Sequence, residues 1–144
     1  MPDEGLLKSH SAEVKERKNF RIIFAEDLED VRTALKMTLD FLGYVVVSVP
    51  SGDELIKKLL ESNQTFDLII TDYHMPGKTG LEAIEMLRSM GNKTPIIILT
   101  ARPDLVTPDI QKIIGVACLG KPATLQQIED AVEKIRLESK NKLP

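Results

Sequence analysis

Leu68-Ile69-Ile70-Thr71-Asp72-Tyr73-His74-Met75-Pro76-Gly77 is a short apolar run that ends on a carboxylate and passes at once into turn residues. A run that brief, bounded by Pro and Gly, reads as a buried strand rather than a helix. In a parallel α/β sheet the carboxyl ends of strands are where ligands bind, which puts Asp72 at a position from which chemistry is done. An acid after a strand also opens turns and caps helices, so Asp72 alone decides little.

Working outward, three more apolar runs end in polar residues. Arg21–Ala25 leads into Glu26-Asp27, Pro95–Leu99 into Thr100-Ala101, and Gly115–Leu119 through Gly120 to Lys121-Pro122. If the four strands are parallel, Glu26, Asp27, Asp72, Thr100 and Lys121 share one rim. Like charges that close are unfavourable unless a cation or a proton relieves them. Oxygen-only donors suit Mg²⁺ or Ca²⁺ rather than Zn²⁺, and Mg²⁺ held by a few carboxylates is usual at phosphoryl-transfer sites. Lys121 supplies a point positive charge and Thr100 a hydroxyl for phosphoryl oxygens, leaving Asp72 as the nucleophile.

The rest of the chain alternates β and α patterns with short connections, predicting an α/β fold with a parallel sheet. Val31, Leu35, Leu39 and Leu42 recur at helical spacing before Gly43, and a strand follows over Tyr44–Val49. Capping-box patterns at Ser51/Glu54, Thr79/Glu82 and Thr124/Gln127 open three further helices. Their apolar faces carry Leu55, Ile56, Leu59 and Leu60; Leu81, Ile84 and Leu87; and Leu125, Ile128, Val132 and Ile135. Pro103 and Pro108 disturb the stretch after the fourth strand, so only a short helix is predicted, about Pro108–Ile114. Five strands and five helices result. Residues 1–19 are polar with scattered apolar points and are expected to be a flexible tail or a frayed helix, with the folded domain over residues 20–140.

The 144 residues fit one domain, and 42% hydrophobic with 28% charged residues is ordinary for a folded globular chain. A net charge of −3 without a long Lys/Arg block argues against nucleic acid as a direct ligand. One Cys excludes an internal disulfide framework, and no apolar stretch approaches a membrane span. The first residues, Met1-Pro2-Asp3-Glu4-Gly5, lack a basic leader pattern, so a cytoplasmic protein without membrane contact is expected.

Residues from about Phe20 to Leu137 resemble the receiver domain of two-component response regulators. The motifs are Ala25-Glu26-Asp27, Thr71–Gly77 with Gly80, Leu99-Thr100-Ala101 and Gly120-Lys121-Pro122. The resemblance implies a doubly wound, flavodoxin-like sheet of five parallel strands in the order 2-1-3-4-5. It implies that Asp72 accepts a phosphoryl group from a histidine kinase or histidine-phosphotransfer protein. Glu26, Asp27, Asp72 and the backbone carbonyl of His74 would hold Mg²⁺. Lys121 would pair with a phosphoryl oxygen after a cis Lys121-Pro122 bond, and Thr100 would move toward the new group. That movement would bias the face of the fourth helix, fifth strand and fifth helix toward an output protein or domain. The unit would be a switch that catalyses only its own phosphorylation and dephosphorylation.

Three features depart from the family pattern. Cys118 stands where an aromatic residue is usual and reads as a small core residue. His74 and Arg102 fall at the two positions flanking the site that tune how long the phosphoryl group survives. The prolines shorten the fourth helix. Two other readings compete: a haloacid-dehalogenase-like phosphatase and a receiver-like interaction module without phosphorylation. The first wants a second Asp two residues after the nucleophile, where this chain has His74.

Overall fold

The computed structural model describes residues 16–61, 65–74, 80–113 and 115–141. Strands β1 (Arg21–Ala25), β2 (Val45–Val49), β3 (Leu68–Asp72), β4 (Ile96–Thr100) and β5 (Val116–Gly120) form one sheet. Helices α1 (Glu29–Phe41), α2 (Gly52–Leu60), α3 (Gly80–Ser89), α4 (Pro108–Gln111) and α5 (Leu125–Asn141) connect and follow them. All pairings are parallel and the order is β2-β1-β3-β4-β5.

The central strands are Ile-rich because both faces of the sheet are covered. Alternation sends Ile23, Ile69, Ile96 and Ile98 to one layer, with Leu55, Ile84 and Leu87 from α2 and α3. Ile22, Phe24, Leu68, Ile70 and Ile97 go to the other, with Leu35, Leu39 and Val132 from α1 and α5. Each such side chain contributes roughly 1.5–3 kcal/mol on burial, enough to hold strands of only five residues in register.

Local signals place most ends. After α1, Gly43 takes a left-handed φ of 103°, and its N–H donates to Asp40 O at 3.0 Å. Ser51 Oγ accepts from Glu54 N at 3.1 Å. Thr124 and Gln127 form the reciprocal box, with Thr124 N donating to Gln127 Oε1 at 2.9 Å and Gln127 N to Thr124 Oγ1 at 3.1 Å. The third predicted box and the Met75-Pro76-Gly77 turn lie outside the described residues, because they need positions 75–79.

Several expectations need correction. The fourth helix spans only Pro108–Gln111, after a 3₁₀ turn at Pro103–Leu105; its expected end, Ile114, lies outside the described residues. Val31, Leu60 and Leu125, assigned to apolar faces, are exposed, since each sits at the edge of its helix stripe. Cys118 is half-buried against the α2–α3 layer, and burial pushes its thiol pKa up.

Residues 16–19, the end of the segment expected as a flexible tail or a frayed helix, begin in helical geometry and pack on α5. Arg17 is 6% exposed; it donates to Glu133 Oε1 at 2.9 Å, Glu129 Oε1 at 3.3 Å and the Leu42 carbonyl at 3.1 Å. Its guanidinium lies 5.4 Å from the centroid of the Tyr44 ring. Arg136, 7% exposed, grips the same Glu133 at 2.6 and 2.9 Å and reaches Glu16 at 3.2 Å. The apolar pattern of the tail was too sparse to signal this, because its anchor is an arginine.

Candidate functional site

Register alone assembles the site. Ala25 pairs with Thr71, so the next residues, Glu26 and Asp72, emerge side by side; Asp72 pairs with Leu99, which brings Thr100 alongside. Thr100 pairs with Gly120, and Lys121 N donates to Thr100 O at 2.7 Å, continuing the ladder into the loop. This rim lies where the chain steps from β1 outward to β2 on one side and to β3 on the other, the crevice in which doubly wound sheets bind ligands.

Glu26, Asp27 and Asp72 each offer a carboxylate oxygen within 4.8 Å of the others. At that spacing two unit charges repel by roughly 3 kcal/mol at an effective dielectric of about 20. Lys121 Nζ offsets part of this, donating to Asp72 Oδ2 at 2.7 Å and Glu26 Oε2 at 3.1 Å. Three carboxylates against one ammonium still leave an excess of negative charge.

The titration of the groups reflects that excess. Burial, with the Asp72 carboxylate adding to it, holds the Glu26 pKa above the usual carboxylate range despite Lys121. Burial acts to lower the Lys121 pKa, but the bonds to Asp72 and Glu26 outweigh it and the net shift is upward. Glu26 Oε1 is buried without a hydrogen-bond partner among the described residues. An orphaned carboxylate oxygen in an all-oxygen, anionic cluster is the donor set a hard divalent cation takes, so the residues fit Mg²⁺.

The other residues singled out in the sequence lie around this cluster. Thr100 is 1% exposed, and its Oγ1 accepts from Arg102 N at 3.1 Å. His74 N donates to Asp72 Oδ1 at 3.2 Å, while its exposed ring stands edge-on to Tyr73. The Lys121-Pro122 bond is cis. Arg102 is exposed and paired with Asp104 through Nε at 3.0 Å and Nη2 at 2.8 Å. Arg32, which the motifs did not single out, donates to the Glu26 carbonyl at 2.8 Å and the Asp27 carbonyl at 3.4 Å. A cation in the first turns of a helix, where the helix dipole disfavours it, was the available signal.

The sheet order, with a charged cluster at its switch point, defines a doubly wound protein of the flavodoxin-like class. Residues 22–133 match the response regulator receiver domain, and the chain belongs to that family. Response regulator MprA of a Mycobacterium species is 36% identical over 110 residues, 75% of this chain and 46% of that protein. Transcriptional regulatory protein ResD of Bacillus subtilis is 39% identical over 82 residues, 57% of this chain and 33% of that one. The chain thus spans a third to a half of these curated relatives.

Among solved structures, response regulator TrrA of Thermotoga maritima in complex with Mg²⁺ and BeF is 28% identical, with a TM-score of 0.72 over 81% of this chain and 98% of that one. The chain is a receiver domain of the two-component response-regulator type, a signalling switch, and the flavodoxin-like order expected from the sequence holds. Receiver domains of this type interact with histidine kinases and output domains. Among the described residues no helix is long and apolar enough to cross a membrane.

Proposed function

We propose that Asp72 is the phosphoacceptor of this receiver, and that the observation carrying the reading is Lys121 Nζ, 2.7 Å from Asp72 Oδ2 inside the three-carboxylate cluster. An Asp72 oxygen attacks the phosphorus of a phosphohistidine, an O–P bond forms, and the N–P bond breaks with its electron pair going to the imidazole, which takes a proton from solvent. Lys121 passes from the carboxylate to a phosphoryl oxygen. Thr100 Oγ1 already accepts from Arg102 N, which leaves its own proton for another phosphoryl oxygen. Mg²⁺ held by Glu26, Asp27, Asp72 and the His74 carbonyl would neutralise charge on those oxygens. In this reading the domain catalyses only its own phosphorylation and dephosphorylation.

A groove of about 670 Å³ between α1 and α5 opens beside Lys121, with Val31, Leu35, Leu99, Pro122, Leu125 and Ile128 along it. Val31 and Leu125 are 39% and 49% exposed, which suits a protein phosphodonor, a histidine kinase or histidine-phosphotransfer protein, rather than a small metabolite alone. The output is a further protein or domain, the setting is cytoplasmic, and this unit itself does not contact nucleic acid. What ResD and MprA regulate belongs to those longer proteins.

The test is intact mass after incubation with acetyl phosphate, with Mg²⁺ or with excess chelator. One phosphoryl group added only with Mg²⁺ supports the reading; no adduct and no turnover of the donor overturns it in favour of an interaction module. Lys121→Met is expected to slow adduct formation by about 10²-fold at saturating Mg²⁺, because it removes a preorganised donor aimed at developing charge. A time course of the same masses checks this.

A further inference from the structure

We infer that Arg32 is a positioning residue for the acidic pair, setting the direction of the Asp27 carboxylate through the backbone; the inference rests on reading that pair as cation ligands. The loop between β1 and α1 has few other restraints. Glu26 N is tied to Val49 O at 3.0 Å, but the residue at the helix N-cap, Leu28, makes no side-chain cap. Past Glu26, the loop lacks the fixing that a Ser, Thr or Asp at that position would give.

Arg32 supplies it from the fourth position of α1. Its Nη1 donates to the Glu26 carbonyl at 2.8 Å and, more weakly, to the Asp27 carbonyl at 3.4 Å. Those two carbonyls belong to the two peptide planes that flank the Asp27 Cα. Because each peptide unit is planar, fixing both planes fixes φ and ψ of Asp27, and with them the direction of its Cα–Cβ bond. A carboxylate on a half-exposed loop residue is thereby aimed before any cation arrives. Groups that orient metal ligands typically change affinity by about 10–100-fold when removed.

The alternative is that Arg32 acts merely as a nearby positive charge, and the two accounts predict opposite signs. A cation beside an acidic cluster weakens Mg²⁺ binding, so as a mere charge its loss would tighten it. As a positioning residue its loss weakens it.

Mg²⁺ titration calorimetry on the full chain, for wild type, Arg32→Met and Arg32→Lys, separates them, with melting temperature in chelator recorded for each. The expected result is a Mg²⁺ Kd raised about tenfold in Arg32→Met and by less in Arg32→Lys, whose single ammonium reaches one carbonyl. Adduct formation from acetyl phosphate should return to the wild-type rate at saturating Mg²⁺. An unchanged or lower Kd in folded Arg32→Met overturns the inference, and Arg32→Lys decides it in the same way if the Met variant does not fold. Failure of the wild type itself to take up Mg²⁺ overturns the ligand reading of Glu26 and Asp27, and this inference with it.

Discussion

Asp72→Asn is expected to yield no phosphoryl adduct with acetyl phosphate and Mg²⁺ at any time point, while the protein remains folded. The amide oxygen is not a competent nucleophile, so the loss is complete rather than graded. The fold has little reason to suffer. Asn keeps one oxygen to accept from Lys121, now 2.7 Å from Asp72 Oδ2, and gives up only the longer bond from His74 N to Oδ1 at 3.2 Å, while Lys121 keeps Glu26 at 3.1 Å. Removing one of three crowded charges also relaxes Glu26, whose pKa moves down toward the ordinary range because the Asp72 carboxylate helps to raise it. Intact mass and a thermal melt check both halves. An adduct of the same mass on the variant would move the acceptor to Asp27 or Glu26 and break the reading of the site.

Glu133→Ala is the second large effect, and it falls far from the chemistry. Glu133 sits between Arg17 and Arg136 and accepts from the Tyr44 hydroxyl, with its side chain 16% exposed. Its removal leaves two buried guanidinium groups without their shared carboxylate. Breaking a buried pair on one side costs about 3–5 kcal/mol, and the partial exposure argues for about 3. For a chain of this length that lowers Tm by about 10 °C. Differential scanning calorimetry checks the size, and a loss under 1 kcal/mol would mean that the network is solvated.

The same carboxylate sets an acid limb. Burial acts to raise the Glu133 pKa, but the bonds from Arg136, Tyr44 and Arg17 outweigh it and hold it at about 2, against an ordinary 4.5. A depressed native pKa stabilises the fold fully above the unfolded value and loses that contribution as pH falls through the folded one. Wild-type stability should therefore drop between about pH 4.5 and pH 2, and Glu133→Gln should flatten that part of the profile.

The strands were legible because a parallel sheet leaves its signature in continuous apolar runs, and the site was legible because strand ends are where such runs stop. Glu26, Asp27, Asp72, Thr100 and Lys121 lie on one rim as a consequence of register, not of any pattern beyond the runs. Helix faces were read less well: Val31 and Leu125 fit the period of a stripe, but they fall at its margin and open onto the groove. What stayed hidden is carried by arginines. Arg17 is buried by pairing with Glu133, more than a hundred positions away, Arg136 joins that same Glu133 to the equally distant Glu16, and Arg32 acts on carbonyls, which every residue possesses. Neither relation leaves a trace in hydrophobic periodicity.

The two arginines on Glu133 also separate the family outline from the unit that folds. Residues 22–133 contain every group assigned to the site, from Glu26 to Lys121, yet exclude both Arg17 and Arg136. A fragment trimmed to that outline would carry its chemistry intact on a last helix stripped of its anchors, and its poor yield or low melting point would say nothing against the site. Expression boundaries for this domain belong before Glu16 and beyond Lys140, the outermost pair of the same network.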